Sequence, residues 1–153
     1  MTLGENLAFI LDRDLTRLAD QLKGYPDDDT VWAVLPGTLN SAGTLALHMV
    51  GNLEHYIGAA LGDTGYVRDR EAEFARRGVP RAELLRGIEE GRSAIIGTLR
   101  GLSNEELLAP FPGESPRGLG DETAHKFLLH LAAHFSWHLG QVDYHRRVLD
   151  ARD

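Results

Sequence analysis

The stretch DETAHKFLLHLAAHFSWHLGQVDYHRRVL, residues 121–149, decides how this chain folds. It has no internal proline and Asp121 stands where a capping residue would, so it is expected to form one long helix. Five of the chain's seven histidines lie in it: His125, His130, His134, His138 and His145. At ~100° per residue, His134 and His138 are ~40° apart around the axis and one turn apart along it. Their mean direction falls close to Phe127, Leu131 and His145, so both rings are expected to face the interior. Neutral imidazoles four residues apart can reach a common ion. Burying two rings is costly unless each nitrogen finds a partner, and a metal supplies one. Core histidines hydrogen-bonded to neighbouring groups fit the same spacing.

Just beyond the pair stand Gly140 and Gln141. A glycine inside a helix costs ~1 kcal/mol relative to alanine, which suggests close approach by another helix or a ligand there. Gln141 shares the face of the histidine pair and can orient a ligand ring or a bound water.

Working outward, Leu3, Leu7, Ile10, Leu11, Leu15, Leu18 and Leu22 recur at helical spacing before Gly24 and Pro26 end a first amphipathic helix. Residues 25–40 read as a linker containing the acidic run Asp27–Asp29, Trp32 and Pro36-Gly37. Asn40 or Ser41 can cap a second helix with the stripe Leu45, Met49, Leu53, Tyr56 and Ala60, which Gly62, Asp63 and Gly65 break. The charged segment 68–77 suits one or two helical turns. Pro80 fits the first turn of a third helix, and Ser103 with Glu106 is spaced as a capping box. Residues 109–120 read as loop. No run alternates strictly enough for a strand. The expectation is one all-α domain over residues 1–153, a helical bundle whose long connections pack over its ends and shape a pocket.

Composition narrows the function. The net charge of −7 argues against nucleic acid, whose binders need a basic surface, and against an anionic membrane. The chain has no cysteine, which excludes disulfides, thiolate zinc sites and a cysteine nucleophile. A borderline metal would therefore be held by imidazole and carboxylate. Neither a signal peptide nor a membrane span is visible, and a cytoplasmic location is expected.

A third ligand must come from another helix. His48 lies at the edge of the second helix's apolar stripe, near Leu45, Asn52 and Tyr56, and His55 follows two turns later on nearly the same face. Spacing leaves the choice open. His130 flanks the ligand face and suits a supporting role, His125 points away from the core, and His145 is too far along the helix to join both His134 and His138.

Three stretches resemble the DinB/YfiT-like superfamily of metalloenzymes, in its branch of small DinB-like proteins. They are Asn40-Ser41 leading to His48-Met49-Val50-Gly51-Asn52, then Val67 to Phe74, and His134-Phe135-Ser136-Trp137-His138-Leu139-Gly140-Gln141. The resemblance implies a four-helix bundle of up-down-down-up topology, often a homodimer. It also implies a divalent zinc, nickel or iron ion held by His48, His134 and His138, which selects His48 over His55. Asn52, Tyr56, His130 and Gln141 are then candidates for the pocket around it.

Some relatives are transferases or isomerases that use a low-molecular-weight thiol, so the expected function is metal-dependent thiol transfer. Carboxylates on such a thiol would be received by Arg68, Arg70, Arg76 or Arg77 if these line the rim; an ordinary solvated helix with its own ion pairs is the alternative for 68–73. A non-catalytic metal-binding stress or sensor protein is a further alternative. So is a metal-dependent hydrolase, although Glu54 and Asp143 are poorly placed as its general base.

Overall fold

The structure is a computed structural model that describes residues 1–114, 116 and 122–150. Helix α1 (Leu3–Lys23) begins at a capping box, with Thr2 accepting from the Glu5 N–H and the Glu5 carboxylate accepting from the Thr2 N–H. Leu7, Leu11, Leu15, Leu18 and Leu22 recur every three or four residues and are buried. Each contributes about 1.5–3 kcal/mol on leaving water.

The acidic run in the expected linker starts a helix rather than staying extended. The Asp27 carboxylate accepts from the Thr30 N–H at 2.8 Å and caps α2 (Asp28–Val31). Trp32 follows and donates its indole N–H to the Val79 carbonyl at 3.0 Å. The linker is further tied to the C-terminal helix by His145. The Tyr25 hydroxyl donates to His145 Nδ1 at 2.7 Å, and His145 Nε2–H donates to the Ala33 carbonyl at 2.8 Å. That histidine is buried and structural, in keeping with its expected exclusion from the ligand set.

Ser41, not Asn40, caps α3 (Ala42–Leu53), accepting from the Thr44 N–H at 3.1 Å. The helix continues into a π-helical segment, Glu54–Ala59, then α4 (Ala60–Gly62), and stops where Asp63 takes a left-handed conformation. Beyond come α5 (Arg70–Ala75), α6 (Arg81–Gly101), α7 (Asn104–Leu108) and α8 (Ala124–Asp150). Pro80 lies one residue before the first turn of α6, and the Ser103–Glu106 capping box forms. The cap expected at Asp121 lies outside the described residues; the Thr123 hydroxyl accepts from the Lys126 N–H at the start of α8. Among the described residues there is no strand, only an isolated bridge between Pro110 and Thr123.

The four long helices share one core: α1 packs on α6 and α8, and α3 packs on the same two. Phe127, Phe135, Leu11, Leu15, Met49 and Ile95 fill it. α5 lies against α3. Within the C-terminal motif, Ser136 donates to the buried Asp14 carboxylate of α1 at 3.1 Å, fixing the rotation of α8 in the core. Among the described residues, no helix is long and apolar enough to cross a membrane.

Candidate metal centre

With α8 rotated in this way, Phe135 points into the core and His134 and His138 face α3. His48 meets them from α3, four residues before Asn52. Its Nε2 lies 3.4 Å from His134 Nε2, which is 3.2 Å from His138 Nε2. One ligand nitrogen from each ring lies within 4.8 Å of the others. The three rings are nearly perpendicular to one another, at 83°, 86° and 89°, so edges rather than faces converge. Nitrogens 2.0–2.1 Å from a tetrahedral ion stand about 3.3 Å apart, the separation seen in two of the three pairs. His55 takes no part in the cluster; it packs edge-on against Tyr56.

Protonation matters as much as position, because only a neutral imidazole has a lone pair for an ion. Burial, then the neighbouring His138 and His48, lowers the His134 pKa from 6.5 to about 4. Burial also lowers that of His138, partly opposed by its bond to Gln141. At neutral pH both rings are uncharged, and each has a lone pair available. Such a pair fits a cation. A pH consequence follows for the metal-free protein. The unfolded chain protonates His134 near 6.5 and the folded chain near 4, so the unfolded state gains protons first as pH falls. Melting temperature is expected to drop between pH 6.5 and 4, and His134→Asn should flatten part of that drop.

Each outer ligand is held from behind. His138 Nδ1–H donates to Gln141 Oε1 at 2.7 Å, which leaves Nε2 as the nitrogen facing the cluster. His48 Nδ1–H donates to Glu73 Oε1 at 3.1 Å, and Arg68 grips the same carboxylate through two bonds of 2.8 Å. Arg68 Nη2 also lies 3.4 Å from His48 Nδ1, but its hydrogen is already directed at Glu73 Oε1. Burial alone would raise the Glu73 pKa; the bonds from Arg68 and His48 outweigh it and hold the carboxyl below its ordinary value. Glu73 is only 6% exposed, so the solvated-helix reading of 68–73 fails for Arg68 and Glu73. α3 makes room for this pair at Gly51, where a Cβ would collide with the Glu73 carboxylate.

The remaining arginines are also engaged. Arg76 pairs with Glu83, Arg77 donates to the Phe74 and Arg76 carbonyls, and Arg70 lies over the Phe74 ring. Tyr56, carried by the π-helical segment, meets Phe127 edge-on at 4.9 Å. His130 is exposed and stacks between Phe127 and His134, at 6.2 and 6.4 Å. His125 is partly covered rather than fully solvated. Glu54 borders a separate cavity with Arg76, Glu83 and Glu90, and Asp143 pairs with Arg147, so neither serves the cluster. Gly140 admits no close neighbour: a Cβ there would meet open space.

Asn52 is the unresolved polar group. It is 8% exposed, one turn from His48, and among the described residues its buried Oδ1 has no hydrogen-bond partner. An orphaned acceptor costs about 1–3 kcal/mol, which is offset only when a donor arrives. Asn52→Leu is therefore expected to raise the melting temperature of the metal-free protein by about 2–4 °C per kcal/mol recovered. Scanning calorimetry checks this, and a lower melting temperature would contradict it.

A family model described as the DinB superfamily matches residues 10–142, a span that includes all three clustered histidines. The fold is similar to that in the crystal structure of a DinB-like protein from Bacillus cereus ATCC 10987. The match has a TM-score of 0.66 and 16% identity, covering 90% of this chain and 86% of that one. At that identity the likeness is one of fold. Among curated proteins, none matches the sequence.

Proposed function

The chain belongs to the DinB superfamily, and from that premise we propose that it binds one divalent zinc, nickel or iron ion through His48, His134 and His138 and acts as a thiol-dependent transferase. The observation that carries this is the ligand count. Three imidazoles converge, and among the described residues no carboxylate completes the set. Structural zinc normally takes four protein ligands, whereas three leave a position for a reactant. When bound, such an ion would favour the thiolate form of a small thiol, which attacks electrophilic carbon.

The chain's own residues supply the framework. Gln141 and the Arg68–Glu73 pair hold two rings with Nε2 directed inward, so little reorganisation accompanies binding. Hydrolysis is less well supported, because Glu73, the carboxylate in contact with the cluster, is committed to Arg68 and His48. A homodimer belongs to the same proposal, and light scattering at twice the chain's mass would support it.

The direct experiment purifies the protein without a histidine tag and measures bound metal by elemental analysis. Zinc, nickel and iron forms are then assayed with glutathione, bacillithiol and mycothiol against monochlorobimane. Metal-dependent conjugation with one thiol is the expected result. Stoichiometric metal with no conjugation in any combination would leave a binding protein and remove the transferase.

A further inference from the structure

The linker between α2 and α3 encloses a cavity of about 580 Å³ against the C-terminal half of α8. Leu35, Leu45, Tyr144 and Val148 supply apolar wall, and His138 and Gln141 lie in the same lining. The cavity therefore reaches the histidine cluster at one of its three rings. Its volume falls within the range of about 300–1,000 Å³ typical of small-molecule sites.

Its chemistry is unlike the rest of the surface. Among the described residues, no Asp, Glu, Lys or Arg lines it, although the chain carries 39 such residues, 16 basic and 23 acidic. The cavity on the other side of α3, by contrast, is bordered by Glu54, Arg76, Glu83, Arg86 and Glu90. Several polar groups of the uncharged cavity are already satisfied. His145 is bonded at both nitrogens, Gln141 Oε1 accepts from His138, and the Thr38 hydroxyl donates to the Leu35 carbonyl. A wall of this kind gains from covering apolar surface and gives no compensation for burying a charge.

We propose that this cavity holds an uncharged, apolar substrate, the size of a substituted aromatic ring or a medium-length alkyl chain, beside the metal centre. The inference rests on the metal reading above and adds the class of molecule to it. In a thiol transfer, this is the electrophilic partner. An anionic thiol would meet no basic side chain among the described lining residues, and Arg68, Arg76 and Arg77, expected to receive it, are engaged elsewhere.

The test titrates metal-free protein with the neutral fluorophore N-phenyl-1-naphthylamine. Saturable binding of one equivalent is expected, displaced by 1-octanol and not by glutathione. Val148→Glu places a charge in the wall at a position 44% exposed, where folding tolerates it, and should weaken the probe at least tenfold. Leu129→Glu, 49% exposed and outside the lining, should change it less than twofold. No saturable binding, equal weakening in both variants, or probe affinity that falls as protein concentration rises would each overturn the proposal. The last result would mean that a second copy covers the cavity. The link to the metal is read separately, by relaxation enhancement of bound 1-octanol protons in cobalt(II)-loaded protein. Octanol that binds without enhancement overturns that link. Cobalt that fails to load refutes the metal reading and the link with it, while the fluorophore still decides whether the cavity takes apolar ligands.

Discussion

His134→Ala is expected to weaken metal binding by about two orders of magnitude while leaving the helical circular dichroism spectrum essentially unchanged. His134 is the centre of the cluster: its Nε2 is the atom that both His48 Nε2 and His138 Nε2 approach, at 3.4 and 3.2 Å. If apparent zinc-binding energies of about 10–16 kcal/mol are shared among four ligands, each is worth roughly 3 kcal/mol. Its loss then weakens binding by about two orders of magnitude. The fold should bear the change because His134 is only half-buried, and its hydrogen-bond-range contacts are with the other two ligand rings. Removing it also removes a ring whose pKa burial, then His138 and His48, lowers to about 4. Competition titration against a chromophoric chelator gives the affinity, and elemental analysis gives the stoichiometry. A variant that still carries one equivalent at wild-type affinity would show that the ion sits elsewhere.

The parts of this site that were legible in the sequence are those fixed by local geometry. His134 and His138 share a face because four residues make about one turn, and Gln141 follows His138 by three. Both relations hold in any α-helix, whatever surrounds it. The same is true of the Ser103–Glu106 capping box and of the amphipathic stripe in α1. The choice between His48 and His55 was not local, since both lie on nearly one face of the same helix. It depended on which turn of α3 opposes His134, a matter of how α3 and α8 pack, and only family resemblance supplied it. Glu73 was missed for a related reason. It reaches His48 across 25 residues of chain, from a charged segment indistinguishable by composition from a solvated helix. The available hint was Gly51, a glycine in the middle of a helix, whose missing Cβ is the space the Glu73 carboxylate fills. At Gly140 no other helix makes such an approach: no described residue lies within 4 Å of where its Cβ would stand. The Asp27–Asp29 run was read as part of a linker, yet acids at a helix N-terminus are favoured by the exposed N–H groups.

Glu73→Ala should have the largest effect on stability of any single change at the site. The Arg68 side chain is 10% exposed and Glu73 7%, so deleting the carboxylate leaves a guanidinium nearly out of water with no counter-charge. Breaking a buried pair in this way costs about 3–5 kcal/mol, whereas replacing both partners by apolar groups is often neutral. The double variant Arg68→Met with Glu73→Leu should therefore recover most of the stability that Glu73→Ala loses. Metal affinity should not recover with it. His48 would still lack the acceptor that fixes its Nδ1–H and turns Nε2 toward His134, and loss of such an acceptor typically weakens binding 10–100-fold. Urea unfolding of the metal-free forms measures the first effect and chelator competition the second. The separation of the two decides the matter. If the double variant regains both stability and affinity, Glu73 only neutralises Arg68; if it regains stability alone, the carboxylate positions His48.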